Sequence, residues 1–479
     1  MYDHSKQYKH SIIRARAISE VDDLLPKYAM VIDQICPCSK SEFESYFNAQ
    51  FMDYAIKKAR NPNNQEAIKK TLDNHRTEIS GSLFGMYYEV DGTIYSSERT
   101  KKFLQDNDQP AFFKDWLIKM QFPNAAQSSR TYRRHIEHGI NCHPYSLLLK
   151  VLEYAKRENV TLLKQEIGYY ILNSEDVLMG NATPNEVFDA IMEDKRNGAE
   201  SRKIIIPEGE SDSYDQHIGD QLQYLQLANL IIIDGQVITI NQQENISVQA
   251  FIDLLNKPLG FDIYSYDIST VSGRKKVEQD WSVYYGKLSD ENDLLTTSIQ
   301  ALVTHSNEEI LKTSTPEKKT DIGNDGELYV LEMEKKRVSD FDERLLRKVI
   351  YLGKTKGLGY DIQSVIAESG DKAEFVKYIE VKSTKRVTAP DINEEEFLDT
   401  LNITRNEWVA AEQHGKYYSI YRVYFIRGGV VTYVLSNVWE KYKDKKLRVV
   451  PLTYRLDFTN YAVDQIIDDT NEELIIINV

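Results

Sequence analysis

Residues 378–386 read YIEVKSTKR. Along an extended strand, successive side chains alternate between faces. Ile379 and Val381 therefore point one way, into a core, while Tyr378, Glu380 and Lys382 point the other. Alone, such an E-x-K triplet is ordinarily a solvated sheet face carrying an ion pair. Its neighbours suggest more. GLGYDIQSVIA, residues 357–367, reads as a glycine turn followed by a strand beginning at Asp361. SGDKAE reads as the next turn and EFVKYIEVKST as the following strand. If the two strands form a hairpin, Asp361 approaches Glu380. Converging carboxylates repel unless a cation lies between them. Mg²⁺ takes oxygen ligands, commonly one or two carboxylates with water and substrate phosphate. A lysine beside it adds charge where a phosphate gains charge during attack by water.

Upstream lies GELYVLEMEKKRVSDFDERLLRKVIYL, residues 326–352. Leu331, Val338, Phe341, Leu345 and Val349 recur at helical spacing, which predicts one long helix with Glu327 at its start.

The order Glu327, Asp361, then Glu380-Val381-Lys382 resembles the PD-(D/E)XK nuclease superfamily. The wording GELYV, GLGYDIQS, YIEVKST, ITRNEW (403–408) and YSIYRV (418–423) looks like one branch of it. That branch is the nuclease domain named after the plant protein NO VEIN, found in restriction and defence proteins. The resemblance spans roughly 320–440 and departs in having Tyr360, not Pro, before Asp361. It implies that Asp361 and Glu380 bind Mg²⁺, with Mn²⁺ able to substitute. It also implies that Lys382 orients or activates the attacking water, that Glu327 supports the metal site from its helix, and that Gln363 or Ser364 lines it. Glu407 and Trp408 read equally as a helix-start acid and a packing aromatic or as site residues.

The chain has 479 residues, enough for two to four domains. With 41% hydrophobic residues it can bury sizeable cores. No apolar run is long enough to span a membrane. The opening MYDHSKQYKHSIIRAR lacks the apolar core of a signal peptide. Three cysteines argue against a disulfide scaffold and for a reducing cytoplasm. The net charge of −15 disfavours nonspecific coating of nucleic acid but leaves a local DNA-binding surface open.

Residues 1–75 read as mostly helical, and residues 76–125 as a hairpin turning at Asp91-Gly92 followed by a helix start. From 145 to 245 a second series of helices, one opening at Thr183-Pro184 with Glu186, closes on LIIIDGQVITIN with another Asp-Gly turn, Asp234-Gly235. Helices closed by a small hairpin have the layout of a winged helix. SNEEILKTSTPEKKTDIGNDG is charged and broken by Thr, Pro and Gly, and predicts a linker at 312–324. The expected architecture is multidomain α+β. Residues 1–145 and 146–311 form mainly helical, winged-helix-type domains, and 325–479 an α/β restriction-endonuclease-like (PD-(D/E)XK) core.

YSSERTKKFL, FFKDWLIKMQFPN, LLKQEIGYYIL, EDVLMGNATPNEVFDAIM and QLQYLQLANLIIIDGQVITIN are similar to the N-terminal recognition part of Type IIS restriction endonucleases. The richest candidate for DNA contact is QSSRTYRRHIEHG, residues 127–139, with Arg130, Arg133 and Arg134 beside Ser128, Ser129 and Tyr132. Cys36 and Cys38, with His135, His138, Cys142 and His143 far along the chain, fit no zinc-finger spacing. Gly353-Lys354-Thr355 lacks the first glycine of a nucleotide-binding loop, where Lys348 stands.

The expected function is a site-specific double-stranded DNA endonuclease of Type II, Type IIS-like, dependent on Mg²⁺ and located in the cytoplasm. One such site cuts one strand, so a transient or stable homodimer is expected, and a cognate DNA methyltransferase is a further expected partner. A modification-dependent or other defence nuclease is the alternative enzyme. A winged-helix regulator with a degenerate nuclease fold is the non-enzyme alternative, against which Asp361, Glu380 and Lys382 stand intact.

Overall fold

The computed structural model describes residues 2–9, 12–13, 18–59, 61–199, 202, 214–302, 322–355, 357–370, 372–393, 397–449, 465–468 and 475–478. The chain divides into two compact units, Met1–Val438 and Trp439–Val479. The second contains the antiparallel pair β12 (Gln465–Asp468) and β13 (Ile475–Asn478). Among the described residues no helix is long and apolar enough to cross a membrane.

The larger unit opens with helices Ile18–Ile35, Lys40–Lys58 and Gln65–Asp73. Ser39 and Glu42 close a reciprocal cap on the second of these, and Asn64 caps the third. Strands β2 (Tyr87–Val90) and β3 (Thr93–Ser96) form the first hairpin, and β1 (Cys38–Ser39) joins it in the order β1-β3-β2. Asp91 and Gly92 both take positive φ, 49° and 79°, as the tightest right-twisted hairpin turn requires. The second sheet repeats the plan: β4 (Leu162–Leu163), β5 (Ile231–Asp234) and β6 (Val237–Ile240) in the order β4-β6-β5. Here the turn differs from the expected Asp-Gly. Asp234 pairs with Val237 as the last strand residue, so Gly235-Gln236 makes the turn and Gly235 takes φ 58°. A continuous apolar core, including Phe47, Phe51, Trp116, Leu148, Leu225 and Trp281, runs beneath both sheets.

Of the expected linker, residues 312–321 lie outside the described residues, and 322–324 form the first turn of helix Ile322–Phe341. That helix stops short of the single run expected through Val349. Asp342 turns extended (φ −160°), and its carboxylate accepts from Arg344 N, opening a short 3₁₀ turn, Glu343–Lys348. A local side-chain bond has displaced the helical one. Phe341, on the predicted stripe, is therefore left exposed, whereas Leu331, Val338 and Leu345 are buried.

Five strands follow: β7 (Ile350–Tyr351), β8 (Ile362–Val365), β9 (Val376–Lys385), β10 (Tyr418–Ile426) and β11 (Gly429–Ser436), in the order β11-β10-β9-β8-β7. Only β9 and β10 are parallel. A parallel pair needs a crossover, and helix Arg405–His414 lies within it. Helix Ile322–Phe341 packs on one face of β9: a Cβ at Gly326 would fall 1.6 Å from Ser383 Oγ. That face holds a second apolar core with Val330, Val338, Ile362, Ile379, Val381, Val423 and Phe425. By strand alternation the crossover helix serves the opposite face.

Candidate active site

The antiparallel register pairs Ile362 with Ile379, so Asp361 stands beside Glu380. Asp361 N donates to Ile379 O at 2.9 Å, and its Oδ2 accepts from Val381 N at 2.8 Å. The Asp361 carboxyl lies near enough to Glu380 to raise it electrostatically. Glu380 is 3% exposed. Its Oε1 lies 2.7 Å from Lys382 Nζ, and the same Nζ lies 2.8 Å from Glu407 Oε2.

The electrostatics follow from this crowding. Burial pushes the Glu380 carboxyl up to about 9, with the Asp361 and Glu407 carboxylates adding to the push and Lys382 opposing it. Burial raises Asp361 too, against its backbone bond from Val381 and the Lys382 charge. Burial acts to lower the Lys382 ammonium, but Glu380 and Glu407 outweigh it and hold it above its ordinary value. Three carboxylates thus surround one ammonium, leaving two negative charges uncompensated if all ionise.

Among the described residues no group of three or more His, Cys, Asp or Glu side chains is arranged to hold a metal ion. The donor set here is a pair, Asp361 and Glu380. Its excess charge suits a hard dication that completes its shell with water and phosphate oxygens.

Asp361, Glu380 and Lys382 come together. Glu327 lies on the opposite face of the sheet. Its Oε2 accepts from Tyr351 OH at 2.7 Å, and Tyr351 pairs with Ile362 on the face covered by helix Ile322–Phe341. Gln363 shares the face of Asp361 by alternation. Ser364 points the other way and donates to Glu334 Oε2 at 2.7 Å, so it does not line the site. Glu334 is fully buried there and also accepts from Arg337 and Tyr421.

Glu407, which the sequence left open, caps its helix and also contacts Lys382. Thr404 and Glu407 cap helix Arg405–His414 reciprocally, and the same carboxylate reaches Lys382. The Thr-x-x-Glu spacing signals the cap; only the crossover brings it to β9. Gly359 sets the helix position. It takes φ +78°, and a Cβ there would fall 2.5 Å from Asn406 O. Beside Asp361 and Glu380, Tyr378 stacks on His414 with ring centroids 3.7 Å apart, and Tyr360 meets both edge-on.

The second candidate surface is helix Ser129–Glu137. Arg130, Arg133 and Ser128 are exposed. Ser129, at the first helical turn, is half-buried, and Ser128 Oγ contacts Thr131 Oγ1 at 2.9 Å. Arg134 is exposed, with Nε donating to Tyr8 OH at 3.1 Å. Tyr132 corrects the expectation: its ring is fully buried, with its hydroxyl 3.3 Å from Glu278. The helical period turns Tyr132 and His135 inward together while the arginines face out.

The family described as "Protein NO VEIN, C-terminal" matches residues 326–435, which hold all of the β8–β9 site and Glu407. The family described as "Restriction endonuclease BpuJI - N terminal" matches residues 2–282. A solved structure entitled "Crystal structure of pyrene- and phenanthrene-modified DNA in complex with the BpuJ1 endonuclease binding domain" is similar at 40% identity, with a TM-score of 0.56. The likeness covers 60% of this chain and 100% of that one. No curated protein matches. Because the BpuJI match takes in more than half of the 479 residues, the chain belongs to the restriction endonuclease BpuJI N-terminal family, joined here to a segment similar to the NO VEIN C-terminal domain.

Proposed function

We propose that this protein is a site-specific double-stranded DNA endonuclease of the Type II restriction class, cutting at a distance from its recognition site in the Type IIS manner. The observation that carries the reading is the meeting of Asp361, Glu380 and Lys382 on paired strands. The C-terminal sheet is read as a PD-(D/E)XK core. The two three-stranded sheets, each ending in a hairpin after a run of helices, are read as winged-helix-type modules that bind DNA. The DNA complex of the similar BpuJ1 binding domain supports that assignment.

Asp361 and Glu380 would hold Mg²⁺, or Mn²⁺ in its place. The metal would supply Lewis-acid stabilisation of the phosphate and a more acidic water. Lys382 donates a hydrogen bond toward the attacking water or a non-bridging phosphate oxygen, offsetting charge as the P–O bond breaks. Val381 N fixes the Asp361 carboxylate, and burial excludes bulk water around Glu380. Arg130, Arg133, Arg134 and the serines beside them would hold phosphates. Two nuclease segments meeting in a homodimer would cut both strands, and a DNA methyltransferase would protect host sites.

The test is cleavage of a plasmid library with Mg²⁺ or with EDTA, with all ends mapped. Ends at a fixed offset from one sequence, seen only with Mg²⁺, are expected. Intact plasmid in both arms, or ends scattered without a shared sequence, would overturn the reading.

A further inference from the structure

We infer that Glu407 is a positioning residue for the proposed hydrolysis: it keeps the Lys382 ammonium in the site while Glu380 turns to a cation. The inference rests on the nuclease reading. In the structure Lys382 Nζ is shared between Glu380 at 2.7 Å and Glu407 at 2.8 Å. A cation on Asp361 and Glu380 competes with the ammonium for Glu380. Without a second anion the lysine, on its flexible four-carbon stem, is free to swing away.

Glu407 supplies that anion from a fixed place. Thr404 N donates to its Oε2 at 2.9 Å, and Glu407 N donates to Thr404 Oγ1 at 3.3 Å. The helix start is in turn pressed on the turn before Asp361. Gly359, the residue a Cβ would drive into Asn406 O, also accepts from Tyr418 OH at 3.0 Å. The position of the carboxylate is therefore set by backbone and cap. Capping asks only for a side-chain oxygen, which glutamine provides equally. The charge of Glu407 is surplus to the cap, and Lys382 is what uses it.

The test compares the intact wild-type chain with Glu407→Gln and Glu407→Ala. It reads kcat and KM on plasmid DNA, Tm, and the Mg²⁺ concentration that half-saturates thermal stabilisation without DNA. Glu407→Gln keeps the cap, so Tm and KM stay at the wild-type values. Its kcat falls about ten- to a hundredfold, the usual effect of losing a group that orients a site residue. Its Mg²⁺ midpoint rises several-fold, because Lys382 then leans on Glu380 alone. Wild-type kcat and Mg²⁺ midpoint in Glu407→Gln would leave Glu407 a cap only and overturn the inference. A loss of kcat that merely tracks lost Tm in both variants would overturn it as well. A wild-type chain that does not cleave overturns the nuclease reading, and this inference falls with it.

Discussion

Arg386, the first residue past the end of β9, donates from Nη1 to Asp23 Oδ1 at 2.8 Å, with Asp22 Oδ2 at 3.6 Å from its Nη2. The end of the strand carrying Glu380 and Lys382 is thus tied to helix Ile18–Ile35. Just before it, Lys385 N and Thr384 Oγ1 both donate to Asn107 O, and Lys385 Nζ donates to Thr297 O at 2.7 Å. Farther along, Arg427 Nη2 reaches Asn229 Oδ1 at 2.7 Å. Charged and buried, this seam ties the sheet of the candidate site to the family-matched segment.

Removing one partner of a buried ion pair strands the other. Arg386 is 3% exposed and faces two aspartates, which burial pushes upward, Asp23 to about 6. Arg386→Ala is expected to cost about 3–5 kcal/mol at neutral pH. The cost shrinks toward pH 5 as the aspartates take up protons. Denaturant unfolding at pH 7 and pH 5 checks this; equal losses at both pH values would mean that the aspartates were not relying on Arg386.

Lys382→Ala separates binding from chemistry. It removes the donor beside the proposed scissile phosphate but leaves helix Ser129–Glu137 untouched. Affinity for plasmid DNA stays unchanged, while the Mg²⁺-dependent cleavage rate falls about 10²–10³-fold, as on loss of one charge-stabilising donor. A gel-shift assay beside a cleavage time course reads both. A variant that cuts at the normal rate would remove Lys382 from the chemistry.

The exposed arginines of helix Ser129–Glu137 separate from Tyr132 in the same way. Each of Arg130→Ala and Arg133→Ala should weaken DNA binding across sequences and flatten the salt dependence by roughly one unit, as for a lost phosphate contact. Tyr132→Phe, inside the core, should leave binding alone. Binding isotherms at several salt concentrations measure the slopes. Unchanged slopes in both arginine variants would place DNA contact elsewhere.

What local pattern controls was legible in the sequence. The β8–β9 hairpin, and with it the approach of Asp361 to Glu380, was legible because alternation and a short turn fix the register. Both earlier hairpins were legible from their glycines, although the second turns one residue later than Asp-Gly suggests. Three features were not legible, for separate physical reasons. Phe341 continues an apolar period that Asp342 interrupts by capping. Tyr132 sits among polar neighbours, and only packing against the core shows which way it faces. Glu407 reaches Lys382 through a crossover helix, a contact set by tertiary packing and by Gly359.

The last prediction concerns pH in the absence of metal. Burial first, then neighbouring carboxylates, raise Glu380 from its ordinary 4.5 to about 9. A group raised on folding contributes stability in full below its unfolded pKa and loses it as pH climbs to the folded value. The metal-free protein should therefore lose stability steadily between pH about 4.5 and about 9 from this group. Glu380→Gln cannot ionise, and Lys382 keeps Glu407 as its partner. The variant should match the wild type near pH 5 and exceed it at pH 8–9. An advantage of 1 kcal/mol would appear as a Tm higher by about 1–2 °C, because the unit Met1–Val438 is larger than the 150–250 residues for which the shift is about 2–4 °C. Adding Mg²⁺ at pH 8 should reverse the order, because only the wild type then has two carboxylates for the cation. Thermal melts in EDTA and in Mg²⁺ at both pH values decide it. A Glu380→Gln variant less stable than wild type at pH 8 in EDTA would show that Glu380 is ionised and well paired without metal, against the upward push of its burial.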